Sequence, residues 1–307
     1  MFFKKMIIGV CATGVSVATF AASDEGSGWT FVPSLAYQQK QLKFDQLYTD
    51  SSTSVPNENG RKSHFSVNLP TANLSLTASR SKFYITLKYE QSLADGSVDV
   101  DETRPPTKPT GPYYLNVPGH ETDVRRSDQS ITFGFNAWGG LNLFVGYMAG
   151  KTTLTPSATC FTYPTPSPCH GQNLALDLEE ENRPKYFQRY TEEGPYLGVS
   201  YGWQINDAGT LSVSFADARM NGQFKDNYIT TKYGDEHFDF TGDSVGTSIG
   251  MTWSAPLDES SAYFLDIRRQ KYSMSGRDTD PTSIFSTIHV ATDETMLGFT
   301  AGLQFYY

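Results

Sequence analysis

Two short motifs in this chain could move a proton. Val98-Asp99-Val100-Asp101 places two carboxylates two residues apart, and Asp235-Glu236-His237 places a carboxylate at the same spacing from an imidazole. Both lie in long polar stretches. An aspartate can orient a histidine, which then takes a proton from water as it attacks a carbonyl. A second set, Lys88, Glu90, Asp266 and Arg268, alternates with apolar neighbours. Charges at such positions, if they face a narrow interior, should pair, because an isolated buried charge is costly. Cys160 and Cys169 stand close together in a stretch rich in proline, threonine and serine, followed by His170. These residues lack the soft ligands of a zinc site, so a disulfide is the expectation for an exported protein. Asp177, Glu179, Glu180 and Glu181 read as a solvated face rather than a cation site. No Gly-rich phosphate loop and no Cys/His metal spacing occurs, and no cofactor or metal is expected.

The N-terminus points to export. Lys4 and Lys5 precede an apolar run, Met6 to Phe20, and then the small residues Ala21-Ala22-Ser23. That is the layout of a cleavable secretory peptide. Residues 1–22 are read as the signal and 23–307 as one mature domain. The run falls short of the roughly 20 residues a helical span needs. Cys11 leaves with the signal. The chain is 38% hydrophobic and 14% aromatic, with a mean hydropathy of −0.41. A barrel needs only alternate residues apolar, so a hydrophilic average does not exclude a membrane. The net charge of −9 becomes −11 once Lys4 and Lys5 are lost, which argues against a nucleic-acid partner.

The elements that would position these groups are strands. Ten segments alternate with a period of two. They begin with Trp29, Phe31, Leu35 and Tyr37, then Phe65 to Leu76, Phe83 to Tyr89, Ile131 to Ala137 and Leu141 to Tyr147. Leu197 to Trp203, Leu211 to Phe215, Val245 to Trp253, Tyr263 to Ile267 and Leu297 to Tyr307 complete the set. In the second segment the parity of the apolar residues changes near Pro70, which suggests a bulge. Short connections alternate with long polar ones over roughly 45–64, 94–128, 152–193, 218–242 and 273–294. The opposite faces carry mostly Gly, Ser, Thr, Ala and Asn, which suit a confined interior. Trp29, Trp138, Trp203 and Trp253 fall near the short-connection ends, where an aromatic belt belongs. The reading is an all-β, closed, antiparallel up-and-down transmembrane β-barrel of about ten strands, with Phe133, Val199, Ile249 and Leu303 facing lipid. A soluble sandwich or lipocalin-like barrel is the alternative.

The chain ends Gly302-Leu303-Gln304-Phe305-Tyr306-Tyr307. A glycine followed by alternating aromatics, with Phe305 and Tyr307 last, resembles the C-terminal assembly signal of Gram-negative outer-membrane β-barrels. The resemblance implies a bacterial outer-membrane address and passage through the barrel-assembly machinery. Outer-membrane lipid and lipopolysaccharide would then be partners, and a monomer is expected. Short turns would be periplasmic, with both termini, and long loops extracellular. Lys88, Glu90, Asp266 and Arg268 would plug the lumen, and the long acidic loops would form a structural or binding surface without turnover. A narrow gated channel is one alternative. A second comes from the omptins, ten-stranded outer-membrane proteases, which this chain resembles in strand number. Omptins carry Asp-x-Asp in the second external loop and Asp-x-His in the fourth. The resemblance implies that Asp235 and His237 activate water while Asp99 and Asp101 face them.

Overall fold

A computed structural model describes residues 8–12, 15–19, 28–50, 61–99, 101–103, 121–156, 187–205, 208–230, 234–278 and 288–307. Within the expected leader, β1 (Ile8–Ala12) and β2 (Val15–Thr19) pair as a small two-stranded sheet of their own, with β1 lying against β10, β11 and β12. The main sheet is built from β3 (Thr30–Asp50), β4 (Arg61–Arg80), β5 (Phe83–Ser92), the short β6 (Gly96–Asp99) and β7 (Asp101–Thr103), β8 (Glu121–Trp138), β9 (Leu141–Pro156), β10 (Phe187–Gln204), β11 (Thr210–Thr230), β12 (Gly234–Pro256), β13 (Ser261–Asp278) and β14 (Ile288–Phe305). Ten of these form a closed ring in which each strand pairs antiparallel with its predecessor and β14 returns to β3. Closure leaves the ring without an edge. The short pieces β6 and β7 prolong the sheet against β8 and β4. Tyr307 completes the seam, exchanging two backbone hydrogen bonds of 3.1 Å with Phe31.

The strands are longer than a membrane requires. Nine of the ten run 16 to 23 residues, against about 9–11 for a crossing. Strand therefore extends into every stretch expected to be a long loop. Only residues 231–233 of the stretch 218–242 fall outside β11 and β12.

The reason is an inversion of polarity halfway up the barrel. Near the short turns, polar residues point inward and are buried, among them Thr77, Thr86, Thr132, Asn142, Ser200 and Thr252. Their outward neighbours are apolar, and Phe133, Val199, Ile249 and Leu303 are all exposed there, as expected of a lipid-facing surface. Near the long connections the arrangement reverses. Leu42, Phe44, Phe65, Leu69, Val124, Phe224, Phe240 and Val290 are buried inside, while Lys43, Asp45, Arg125, Lys151, Arg219 and Asp243 stand outside. One half is ordered as for an apolar phase and the other as for water.

This inversion corrects the bulge expected at Pro70. Strands β3 and β4 pair without a register shift from Thr30↔Ser79 to Tyr48↔Arg61, with Pro70 opposite Gln39. The backbone does not slip. Phe65, Val67 and Leu69 point in and Leu74 and Leu76 point out, so the apolar parity changes because the surroundings do. Pro70 is tolerated in the ladder, and its carbonyl accepts a hydrogen bond from the Leu93 N–H at 2.8 Å. Among the described residues the ladder is irregular elsewhere, between Asn136 and Trp138 of β8.

Inward glycines make room for large inward side chains. A Cβ at Gly134 would run into the Tyr84 ring across the β5–β8 ladder. At the turn after β8, Gly139 and Gly140 take φ of 56° and 93°, a left-handed conformation that favours glycine. Beyond β12, Asp258 accepts a hydrogen bond from the Ser260 N–H at 2.8 Å, and bonds from Ser261 and Ser260 hold its carboxyl below the usual carboxylate range.

Candidate functional site

A belt of buried charge lies where the two halves meet. Arg126 on β8 is its hub and is 2% exposed. Its guanidinium donates to both Asp128 oxygens, at 2.6 and 3.0 Å, and to Glu192 on β10 at 2.8 Å. It also donates to Thr152 on β9 at 2.9 Å and to Glu294 on β14. Thr152 in turn donates to the second Glu294 oxygen at 2.5 Å. On the other flank, Lys40 of β3 bonds Glu90 of β5 and reaches Asp128 at 3.0 Å. Lys88 bonds the remaining Glu90 oxygen at 2.7 Å. The Tyr272 ring, 5.7 Å from the Arg126 carbon, covers the guanidinium.

The Arg126–Glu294 contact matters most for the lumen. By the shorter way round the ring, β8 and β14 are separated by β5, β4 and β3. A direct bond between them therefore crosses the interior. In low dielectric each partner needs its counter-charge.

A second buried site lies nearer the short turns. Arg268 of β13 bonds Asp266 at 3.1 Å and donates to Ser248 at 3.2 Å and Ser214 at 3.4 Å. Thr252 donates to the same Asp266 oxygen. All four charged residues singled out in the sequence thus point inward, but they belong to two sites. Lys88 and Glu90 join the belt, and Asp266 and Arg268 join a serine-and-threonine cluster.

Sequence reading missed Lys40, Arg126, Asp128, Glu192 and Glu294. The signal was present as parity. Arg126 and Asp128 continue the inward register of Ser130 and Thr132, Glu192 that of Gly198 and Ser200, and Glu294 that of Gly298 and Thr300. Each lies just beyond the point where apolar alternation stops.

The proton-handling motifs lie at the other end of the strands. Asp99 pairs through its backbone with Glu121, and Asp101 with His64. Asp235 lies opposite Ile229 and His237 opposite Asn227 on the β11–β12 ladder. β5, which leads into β6, stands five places from β12 in the ring of ten, on the opposite wall. Their side chains lie outside the described residues, as do Cys160, Cys169, His170, Asp177 and Glu179 to Glu181. Gly302 is inward and packed against Phe264, and Phe305 and Tyr307 are exposed.

No protein-family model matches the chain, and no curated protein does. Solved structures do. The crystal structure of the outer membrane protease OmpT from Escherichia coli aligns with a TM-score of 0.63 at 10% identity, covering 91% of this chain and 97% of that one. The translocator domain of the autotransporter NalP from Neisseria meningitidis aligns at 0.40 and 9% identity over 93% and 90% of the two chains. The P. putida toluene transporter TodX aligns at 0.31 and 10% identity, over 92% and 91%. At 10% identity the OmpT alignment speaks for shape alone, and the shape it shares with this chain is a closed ten-stranded antiparallel barrel.

Proposed function

We propose that this protein is an outer-membrane barrel with a closed lumen whose working surface is its loop-bearing half. The observation that carries this reading is the bond from Arg126 to Glu294 across the interior. A path for solute would have to separate at least one buried ion pair, and isolating either charge costs several kcal/mol. The apolar outer band sits in the membrane, and the half with the polar exterior projects from it. Short turns and both termini face the periplasm and the long connections face outward. The signal peptide, the C-terminal assembly signal and a Cys160–Cys169 disulfide belong to the same reading. Planar-bilayer recording of the purified protein tests it. Negligible conductance is expected, and large steady conductance would establish a channel instead.

A second reading is favoured by two observations. The barrel aligns with OmpT over nearly the whole of that chain, and the Asp99/Asp101 and Asp235/His237 pairs stand on opposite walls of the ring. An omptin-like peptidase would use His237 as general base, oriented by Asp235, with Asp99 and Asp101 facing it. Cleavage of a peptide library by detergent-folded protein with lipopolysaccharide tests this. Activity lost in both His237→Ala and Asp99→Asn would establish the peptidase. An inert wild type leaves the binding surface as the function.

A further inference from the structure

The charge belt does not balance if every group is ionised. It holds three cations, Lys40, Lys88 and Arg126, against four acids, Glu90, Asp128, Glu192 and Glu294. The acids are not equally served. Both Glu90 oxygens meet a lysine. Both Asp128 oxygens meet Arg126, and one also meets Lys40. Both Glu294 oxygens are bonded, one to Arg126 and one to Thr152. Glu192 has one oxygen on Arg126, and its Oε2 is buried without a hydrogen-bond partner. The residue is 1% exposed.

We infer that Glu192 is the odd acid of the belt and carries a proton in the folded barrel, so that the tie between the two halves is sensitive to pH. A neutral carboxyl removes the surplus charge from a side chain that is itself almost wholly buried. The groups facing it are the charges of Arg126 and Asp128 from β8 and Glu294 from β14, the phenols of Tyr272 from β13 and Tyr190 from β10, and, through Asp128 and Glu90, Lys40 and Lys88. Gly150 and Gly222, its ladder neighbours on β9 and β11, bring no charge. Arg126 is the only cation in contact with Glu192 among the described residues, and it is shared with Asp128 and Glu294. Losing the proton would set a second full negative charge beside Glu294 across one guanidinium.

The sign follows from linkage. In the unfolded chain Glu192 ionises near pH 4.3, roughly the ordinary glutamate value. The folded state holds its proton longer, so stability falls as pH rises above about 4 and levels off once the folded group also ionises. Glu192→Gln keeps the shape and removes the titration. Thermal unfolding in detergent, followed by tryptophan fluorescence from about pH 4 to about pH 9, should show the variant unfolding at higher temperature than wild type at neutral and alkaline pH. The gap should close toward pH 4. Glu294→Gln, which removes the charge facing Arg126 and replaces one acceptor oxygen by a donor, should instead lower the midpoint at neutral pH. Infrared spectroscopy of wild type at neutral pH should show a protonated-carboxyl band that Glu192→Gln lacks, a readout independent of stability. A lower midpoint for Glu192→Gln, a pH-independent gap, or absence of that band would overturn the inference. So would a midpoint raised specifically by sodium or potassium in wild type and not in the variant, since a bound cation would then be the missing charge.

Discussion

Arg126 gathers three carboxylates and a threonine from β8, β9, β10 and β14. Removing its charge strands carboxylates away from water, a change that costs about 3–5 kcal/mol when a buried pair is broken. Arg126→Met should therefore lower unfolding stability by about 3 kcal/mol or more, read from urea titration in detergent. Its neighbour Arg125 points outward and pairs with Asp95 in solvent, so Arg125→Met should leave the urea midpoint unchanged. Adjacent positions with the same side chain thus separate by strand parity alone. A milder effect at Arg126 than at Arg125 would show that the inward assignment of β8 is wrong. Arg268 should behave like Arg126 rather than like Arg125, because Asp266 beside it is 2% exposed.

At the scale of the strand, polarity inversion predicts that position along the strand decides tolerance as much as face does. Ile249 and Thr241 both point outward on β12. Ile249 lies in the apolar band and Thr241 above it. Ile249→Arg should cost about 2–4 kcal/mol in lipid, as charges facing the bilayer midplane do. Thr241→Arg should stay within about 0.5 kcal/mol, as surface changes usually do. Folding titrations in liposomes would check both, and equal costs would remove the two-halves description. The inward glycines give a second test. Gly134→Leu must displace the Tyr84 ring, and overpacking of this kind typically costs about 1–3 kcal/mol.

For the whole molecule, closure of the ring and closure of the lumen are separate properties. The β3–β14 seam fixes the first, and the charge belt accounts for the proposed second. A barrel with both Arg126→Ala and Glu294→Ala should retain the ring if it folds, and should pass ions where wild type does not. The proposed orientation makes a further prediction. Trypsin added to intact cells should cut after Lys185, within the long connection between β9 and β10, and should spare Arg80 and Lys82 at the β4–β5 turn. Cleavage confined to Arg80 and Lys82 would place the short turns outside. Free-thiol labelling of the folded, non-reduced protein should find neither Cys160 nor Cys169 reactive.

What the sequence determined by itself was the ring. Period-two alternation from Trp29 to Tyr37 through Leu297 to Tyr307 set the number of strands, and short turns such as Trp138-Gly139-Gly140 set their order. That much is legible because lipid imposes one rule on every strand it touches: an apolar side chain at each outward position. Beyond the apolar band the rule lapses. Phe65, Val67 and Leu69 turned inward in the same register that sends Leu74 and Leu76 outward. Read as one pattern the two stretches imitate a bulge, and the upper strands imitate loops. The charge belt was hidden for a related reason. Arg126 and Glu294 are 168 residues apart, and nothing local to either marks the other. Only closing the ring brings β8 within reach of β14, and only then does burial turn ordinary surface-looking residues into a network in which one missing partner, at Glu192, matters.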